Sequence, residues 1–478
     1  MLHARFSSLA IVVMALLLRC KALLPSRGTR IIISSCRSSS RSSSSRSSRS
    51  SSSSRSRSST SSVDMGKGTD TAGVYLHIPF CRRRCHYCDF PIQVIGDRES
   101  TRNAAGEQYT DLLVRDIKLW SEANGAQDVE VDSVYFGGGT PSLLPDKCVQ
   151  QIMDQLRSTF RLTPDAEVTL EMDPGTFNYD RLKNIRSSGV NRISMGVQSF
   201  DAEALKKCGR AHTPDDTARA LEDLHRADWQ NFSIDLISSL PFMSTEQWAD
   251  TLRQGAASGC SHISVYDLQI EDGTAFGRWY TPGVFPLPTE EAAADMYRTA
   301  VSTLGQANFE HYEVSNYALP GHRSRHNQKY WRCAPVYAFG MSAASYLHGD
   351  RFSRPSKMPE YKQFVADLSV GASTPTPAST PPTSTPDVLD VVMLSLRTAD
   401  GLDLPSFTAR YGESAAQRVI RSLRPYASRG LVEFVAKTPQ NLGETNMNLE
   451  DVQSIRLVDP DGFLVSNDII SSVFAKLS

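Results

Sequence analysis

The chain has 478 residues, enough for two or three domains, and its 40% hydrophobic content is sufficient for a buried core. The formal charge of −1 hides an asymmetry. The first 63 residues hold eleven Lys and Arg but no Asp or Glu, so the rest of the chain sets 40 basic residues against 52 acidic ones. Such an acidic body excludes a general affinity for nucleic acid, whose phosphates demand a basic patch.

Ile11 to Leu18 is an apolar run of signal-peptide length, too short to span a bilayer. Cys36 to Ser62 is then almost wholly Ser and Arg. A basic, serine-rich, acid-free leader has the composition of an organellar transit peptide, and residues 1–63 are expected to be removed or disordered. The apolar run ahead of it resembles the bipartite presequences of algal plastids; a mitochondrial presequence fits nearly as well. An Arg/Ser interaction tail is the alternative.

From Val74 onward, apolar strands alternate with amphipathic helices. The pattern predicts strands at Val74–Phe80, Val131–Phe136, Glu167–Met172, Arg192–Val197, Phe232–Ile237 and His262–Gln269. Helical periodicity marks Tyr109–Glu122, Asp146–Phe160 and Thr245–Ser258 between them. Strand–helix alternation implies an α/β fold with parallel strands and crossover helices. Six units are too few for a closed eight-fold barrel, so a partial (β/α)6 barrel over 70–290 is expected, with its chemistry at the C-terminal strand ends. Residues 291–370 read as an extension that begins with the helix Glu290–Ala307 and holds an aromatic-rich stretch. Residues 371–386, rich in Pro, Ser and Thr, read as a semi-rigid linker. Residues 387–478 read as a mainly helical domain with a short hairpin.

The chain's most informative stretch is Tyr75-Leu-His-Ile-Pro-Phe-Cys81-Arg-Arg-Arg-Cys85-His-Tyr-Cys88-Asp-Phe90, a short strand running into three cysteines within eight residues. Soft thiolates select zinc, copper(I) or iron–sulfur clusters. Structural zinc usually pairs cysteines as two C-x2-4-C arms, and Cys148, Cys208, Cys260 and Cys333 each stand alone downstream. A disulfide would leave an odd cysteine. A zinc site completed by His86 or by a remote ligand is the competing assignment. Farther on, Phe136-Gly-Gly-Gly-Thr140-Pro closes the second strand, where glycines permit close backbone approach to a ligand, and no Walker-type Lys follows. Glu171, Gln198 and Asp235 fall at later strand ends, and Arg210 could pair with a carboxylate.

The cysteine loop closely resembles that of radical S-adenosylmethionine (SAM) enzymes, in which three thiolates each hold one iron of a [4Fe–4S] cluster and the fourth iron stays open. The Gly-Gly-Gly-Thr-Pro-Ser loop, Asn191-Arg-Ile-Ser-Met-Gly-Val-Gln-Ser-Phe and the ending Ile455-Arg-Leu…Gly462-Phe-Leu-Val-Ser-Asn467 narrow this further. They resemble the oxygen-independent coproporphyrinogen III oxidase family and its HemW-type haem chaperone relatives. The resemblance covers about Gly73 to Ser478, apart from the linker. It implies Cys81, Cys85 and Cys88 as cluster ligands. It also implies Tyr75, Tyr87, Gly138, Gly139, Thr140, Glu171, Gln198, Arg210 and Asp235 as SAM contacts. Phe90 stands where the oxidase branch has a fourth cysteine, and His326-Asn327-Gln-Lys-Tyr330-Trp331 matches a motif of the chaperone branch. Histidine is a natural axial ligand to haem iron, so His326, Asn327, Tyr330 and Trp331 are the expected haem contacts, with His311 a second candidate for the iron. The chain departs from the family at Ser239-Leu-Pro, where Gly-Leu-Pro is usual, and in the turn beginning at Gly340.

The expectation is therefore an organellar haem chaperone, in plastid or mitochondrion, that binds a [4Fe–4S] cluster, SAM and haem and delivers haem to an acceptor protein. That acceptor could itself be membrane-associated. The alternative is the oxidase itself, a decarboxylase of coproporphyrinogen III; a non-catalytic zinc or iron–sulfur scaffold is a third reading. A labile cluster argues against secretion.

Overall fold

The structure, a computed structural model, describes residues 71–347, 349–371, 385–437 and 448–477. The expected leader and residues 372–384 of the expected linker lie outside the described residues.

All six expected strands form: β1 Ala72–Ile78, β2 Glu130–Gly138, β3 Arg161–Met172, β4 Arg192–Gln198, β5 Phe232–Ser238 and β6 His262–Asp267. They pair in parallel and in chain order. Each strand alternates. Val74, Leu76, Phe136, Leu170, Ile193, Ile234 and Ile263 point outward into one apolar cluster with Leu113, Ile117, Ile152, Leu156, Leu224 and Leu252 of the crossover helices. The opposite face of the same strands is polar, and its groups bond across the interior: Tyr135 to Glu171, Ser194 to Asp235, Ser233 to His262. Parallel strands buried on both faces usually read as continuous apolar runs. The period of two seen here marks a barrel whose inside is a column of polar side chains.

The sequence reading stops at six strands, but the sheet has eleven. β7 Glu310–Glu313 and β8 Asn316–Ala318 extend it antiparallel beyond β6. On the other side β9 Val336–Phe339 pairs in parallel with β1 and is followed by antiparallel β10 Ala344–Leu347 and β11 Asp350–Ser353. The sheet runs from β11 to β7, an open, partial barrel.

One short helix, α1 Arg325–Trp331, is pushed into the barrel from its N-terminal end. Ser324 caps it. Glu167 of β3 accepts hydrogen bonds from the backbone N–H groups of Arg325 and His326, both at 3.2 Å. A buried carboxylate on exposed helix N–H groups satisfies both partners and favours the helix dipole. A second buried anchor is Asp116 on the helix Glu99–Ala123, which accepts from Tyr361 (2.9 Å) and Gly340 N (3.1 Å) and pairs with Arg354 (3.3 Å). It ties that helix to the extension.

Beyond the linker, helices Val388–Ser395, Leu404–Tyr411, Glu413–Ala427 and Ser466–Leu477 surround a small antiparallel sheet. The expected hairpin is β13 Val432–Ala436 with β14 Val452–Leu457, and β12 Leu402–Asp403 adds a third strand. Tyr330 and Trp331 of α1 share an apolar cluster with Val392 and Leu394, so this region packs directly on the barrel plug. None of the described helices is long and apolar enough to cross a membrane.

Candidate functional site

β1 runs straight into the cysteine loop. Phe80–Cys81 pairs with Gln93–Val94, which folds the loop back on itself. Inside it, Cys88 N donates to the Cys85 carbonyl at 3.2 Å, and the Arg84 guanidinium donates to the carbonyls of Cys88 and Phe90 at 3.1 and 3.0 Å. The loop forms one wall of a cavity enclosing about 1200 Å³ of empty space, solvent at its mouth included. Cys81, Cys85, Cys88 and Phe90 line that wall. The ends of all the remaining core strands line the others: Gly138–Thr140, Glu171–Asp173, Ser194 to Gln198, Asp235, and Tyr266–Asp267. C-terminal strand ends are where parallel α/β sheets assemble ligand sites.

Among the described residues no three His, Cys, Asp or Glu side chains converge as ligands of a single ion would. The three thiols all line one wall of the cavity, a donor set that a cluster taking one thiolate per iron can use. Burial pushes the Cys81 thiol up to about 12 and the Cys88 thiol to about 11. Both therefore stay protonated until a soft metal displaces the proton. Thr140 Oγ1 donates toward Cys81 Sγ at 3.6 Å and Arg210 toward Cys85 Sγ at 3.4 Å, contacts that favour thiolate once formed.

The glycine loop is pressed against the cysteine loop. Gly139 N donates to Ile78 O at 2.8 Å and Thr140 N to Phe80 O at 2.7 Å. A Cβ on Gly139 would sit 2.6 Å from the Phe80 carbonyl oxygen, so only glycine lets the two loops meet. Beside it, Glu171 accepts from Tyr135 OH (2.8 Å) and Gly138 N (3.1 Å). Burial, reinforced by the Asp235 and Asp173 carboxylates, raises Glu171 to about 8; burial likewise raises Asp235 to about 6. A cationic ligand group in the cavity would shift both toward the carboxylate. Arg210 supplies the opposite charge. Its Nη2 bonds Asp173 (2.6 Å) and Gly196 O (3.0 Å), its Nη1 reaches Tyr87 OH (3.3 Å), and its buried Nε has no hydrogen-bond partner. An orphaned donor beside two carboxylic acids and three thiols fits a zwitterionic ligand next to a soft metal centre.

Of the sequence-derived SAM candidates, Tyr87, Gly138, Gly139, Thr140, Glu171, Gln198, Arg210 and Asp235 line this cavity. Tyr75 does not. Its ring lies under the cavity floor, stacked on Tyr135 with centroids 6.2 Å apart, and its OH meets His77 Nδ1 at 3.2 Å. Sequence reasoning missed Asp173, Tyr266 and Asp267; the last two close β6 and stand level with Ile237 and Ser238 of β5, and a strand-end rule applied to β6 would have found them. Ser239, where glycine was expected, keeps a left-handed backbone with φ +60°, so the substitution changes the side chain and not the chain path.

The His-Asn-x-x-Tyr-Trp motif is buried in this structure. His326 is 0% exposed and lies inside the barrel. Its Nδ1 meets Ser133 Oγ at 3.2 Å, its Nε2 meets Tyr330 OH at 3.1 Å, and its ring stacks on Tyr135 at 5.2 Å. Burial, with Lys329 and Arg192 nearby, lowers its pKa to about 3, so the ring is neutral and both nitrogens are engaged. Asn327, Tyr330 and Trp331 are also buried. The seven-residue helix turns the imidazole into the core rather than toward a surface. His311 is likewise occupied, bonding Asp459 at 2.9 Å and stacking on Tyr317 at 4.2 Å.

Three open thiols on a partial barrel, above a cavity of strand-end polar groups, define a radical SAM fold. The family model for the radical SAM superfamily matches residues 75–255, and that for the HemN C-terminal domain matches residues 387–437. A heme chaperone HemW of Synechocystis sp. is 38% identical over 84% of this chain and 96% of its own length. The heme chaperone HemW of Escherichia coli is 37% identical over 56% of this chain and 68% of that protein. A mitochondrial radical S-adenosyl methionine domain-containing protein of Bos taurus is 35% identical over 57% of this chain and 61% of its own. Among solved structures, the radical SAM coproporphyrinogen III oxidase HemN of Escherichia coli superposes with a TM-score of 0.66, at 21% identity, over 84% of this chain and 90% of that one. The chain belongs to the heme chaperone HemW family of the radical SAM superfamily.

Proposed function

We propose that this protein binds haem and passes it to an acceptor protein, and that it holds a [4Fe–4S] cluster on Cys81, Cys85 and Cys88 with SAM in the adjoining cavity. The observation that carries the reading is the likeness to a heme chaperone over 96% of that relative's length. The cluster, when bound, supplies an open iron for SAM and an electron source for its cleavage. The chain's own residues do the holding. The backbone of Gly138, Gly139 and Thr140 receives the amino end, Arg210 Nε donates to the carboxylate, and Glu171, Gln198 and Asp235 accept from the ribose or the ammonium. Tyr87 packs beside them, and Tyr75 supports the floor from below.

The likeness to the oxidase HemN is one of fold. Phe90 lines the cavity mouth at the position where the oxidase branch has its additional cysteine, which favours the chaperone. The test pairs two assays on anaerobically reconstituted full chain: a haem titration followed at the Soret band, and incubation with SAM, reductant and coproporphyrinogen III. Haem binding without porphyrinogen turnover is the expected result. SAM-dependent conversion to protoporphyrinogen would overturn the chaperone reading in favour of the oxidase.

We further assign residues 70–290 to the core barrel, 291–370 to its extension, 371–386 to the linker and 387–478 to the C-terminal domain. The acid-free leader of residues 1–63 supports targeting to a plastid or mitochondrion, and relatives include proteins described as mitochondrial. A fluorescent fusion carrying residues 1–70 should enter one of these organelles; a signal that stays in the cytosol refutes the assignment.

A further inference from the structure

With the His326 motif turned inward, the haem of the proposed function needs another iron ligand, and the outer side of the cysteine loop offers one. His86 lies between Cys85 and Tyr87 but its ring faces away from the cavity. Its Nδ1 is 2.7 Å from the Lys207 carbonyl oxygen, which fixes the proton on Nδ1 and leaves Nε2 as a lone-pair donor. Among the described residues Nε2 has no hydrogen-bond partner, and the side chain is partly exposed. Metal-ligating histidines are typically oriented in this way, by a backbone carbonyl on the other nitrogen. The ring fits because residue 209 is glycine: a Cβ there would stand 2.8 Å from the imidazole.

The surroundings suit a flat, apolar, dianionic ligand. Trp279 meets the His86 ring edge-on at 4.8 Å and is itself 54% exposed. On the other side of the Lys207 backbone, the Lys207 ammonium lies 3.8 Å from the Phe242 ring centre, and Phe242 packs edge-on against Phe285 at 5.4 Å. Phe242 and Phe285 are 47% and 80% exposed, and with Trp279 they make up three of the six large hydrophobic side chains that the described residues leave strongly exposed. Exposed apolar surface of that kind marks a binding site. Lys207 forms no ion pair among the described residues.

We propose that haem is carried on this patch, with His86 Nε2 as axial ligand to the iron, Trp279, Phe242 and Phe285 against the macrocycle, and Lys207 toward a propionate. The inference rests on the haem-carrying reading and specifies where that reading is realised. The cluster-reconstituted full chain is titrated with ferric haem, comparing wild type with His86→Asn and Trp279→Ala. Asn retains an N–H for the Lys207 carbonyl while removing the iron-binding nitrogen, so the loop stays anchored and the iron–sulfur absorbance persists. His86→Asn should abolish the histidine-ligated Soret and electron-paramagnetic signature and weaken binding by about tenfold or more, a loss of about 1.4 kcal/mol. Trp279→Ala should weaken binding without changing the ligation signature. An unchanged Soret position and affinity in His86→Asn overturns this site while leaving the chaperone reading standing. Failure of the wild type to bind haem at all removes the reading and the site together.

Discussion

Replacing any one of Cys81, Cys85 or Cys88 with Ala is expected to abolish the iron–sulfur absorbance and the content of roughly four irons per chain in anaerobically reconstituted protein. Cys148→Ala should leave both intact, since that thiol is 1% exposed within the helix Asp146–Thr159 and packs in the apolar cluster. The difference is geometric: only the first three thiols share a loop and open on the cavity. Losing one of three ligands leaves an iron held by sulfide alone. Zinc in place of iron and sulfide in the native protein would remove the cluster assignment.

The second large effect belongs to His326. Truncation to Ala removes a buried ring stacked on Tyr135 and leaves Ser133 and Tyr330 without their imidazole partner. Emptying a buried aromatic-sized site costs about 3–5 kcal/mol, and orphaned hydroxyls add to it. His326→Ala should therefore lower the denaturation midpoint sharply, with His326→Phe intermediate because it keeps the stacking. In the folded fraction the haem Soret band should match the wild type. A variant of undiminished stability with an altered Soret band would restore the motif as a haem ligand and require the helix Arg325–Trp331 to swing out.

The contrast between these cysteines and His326 shows what a sequence makes legible. Cys81, Cys85 and Cys88 are within eight residues of one another, so the loop that joins them also brings them together, and their chemistry can be read locally. The six core strands were legible for a similar reason, each being a self-contained alternation of apolar and polar residues. β9 was not. Its four residues, Val336–Phe339, are too few to show a period, and what makes them a strand is pairing with β1, some 260 residues earlier in the chain. The burial of the His326 motif was hidden for a different reason. Residue types announced a coordinating and aromatic cluster correctly, but the direction a side chain takes depends on Glu167 seizing the helix N-terminus, a contact between residues far apart in sequence. Tyr75 follows the same rule: strand alternation places it on the interior face, yet whether that interior level is cavity or floor is decided by Tyr135 and His77 beside it.

The plug beneath that floor also bounds the cavity. With α1 wedged between β1 and β3, and with Tyr75, Tyr135 and His326 stacked above it, the column under the cavity is sealed by side chains rather than by a movable loop. Among the described residues, the polar groups at the strand ends and the three thiols share the one cavity above that stack, so a molecule held there would lie between the cysteine loop and a floor of packed rings.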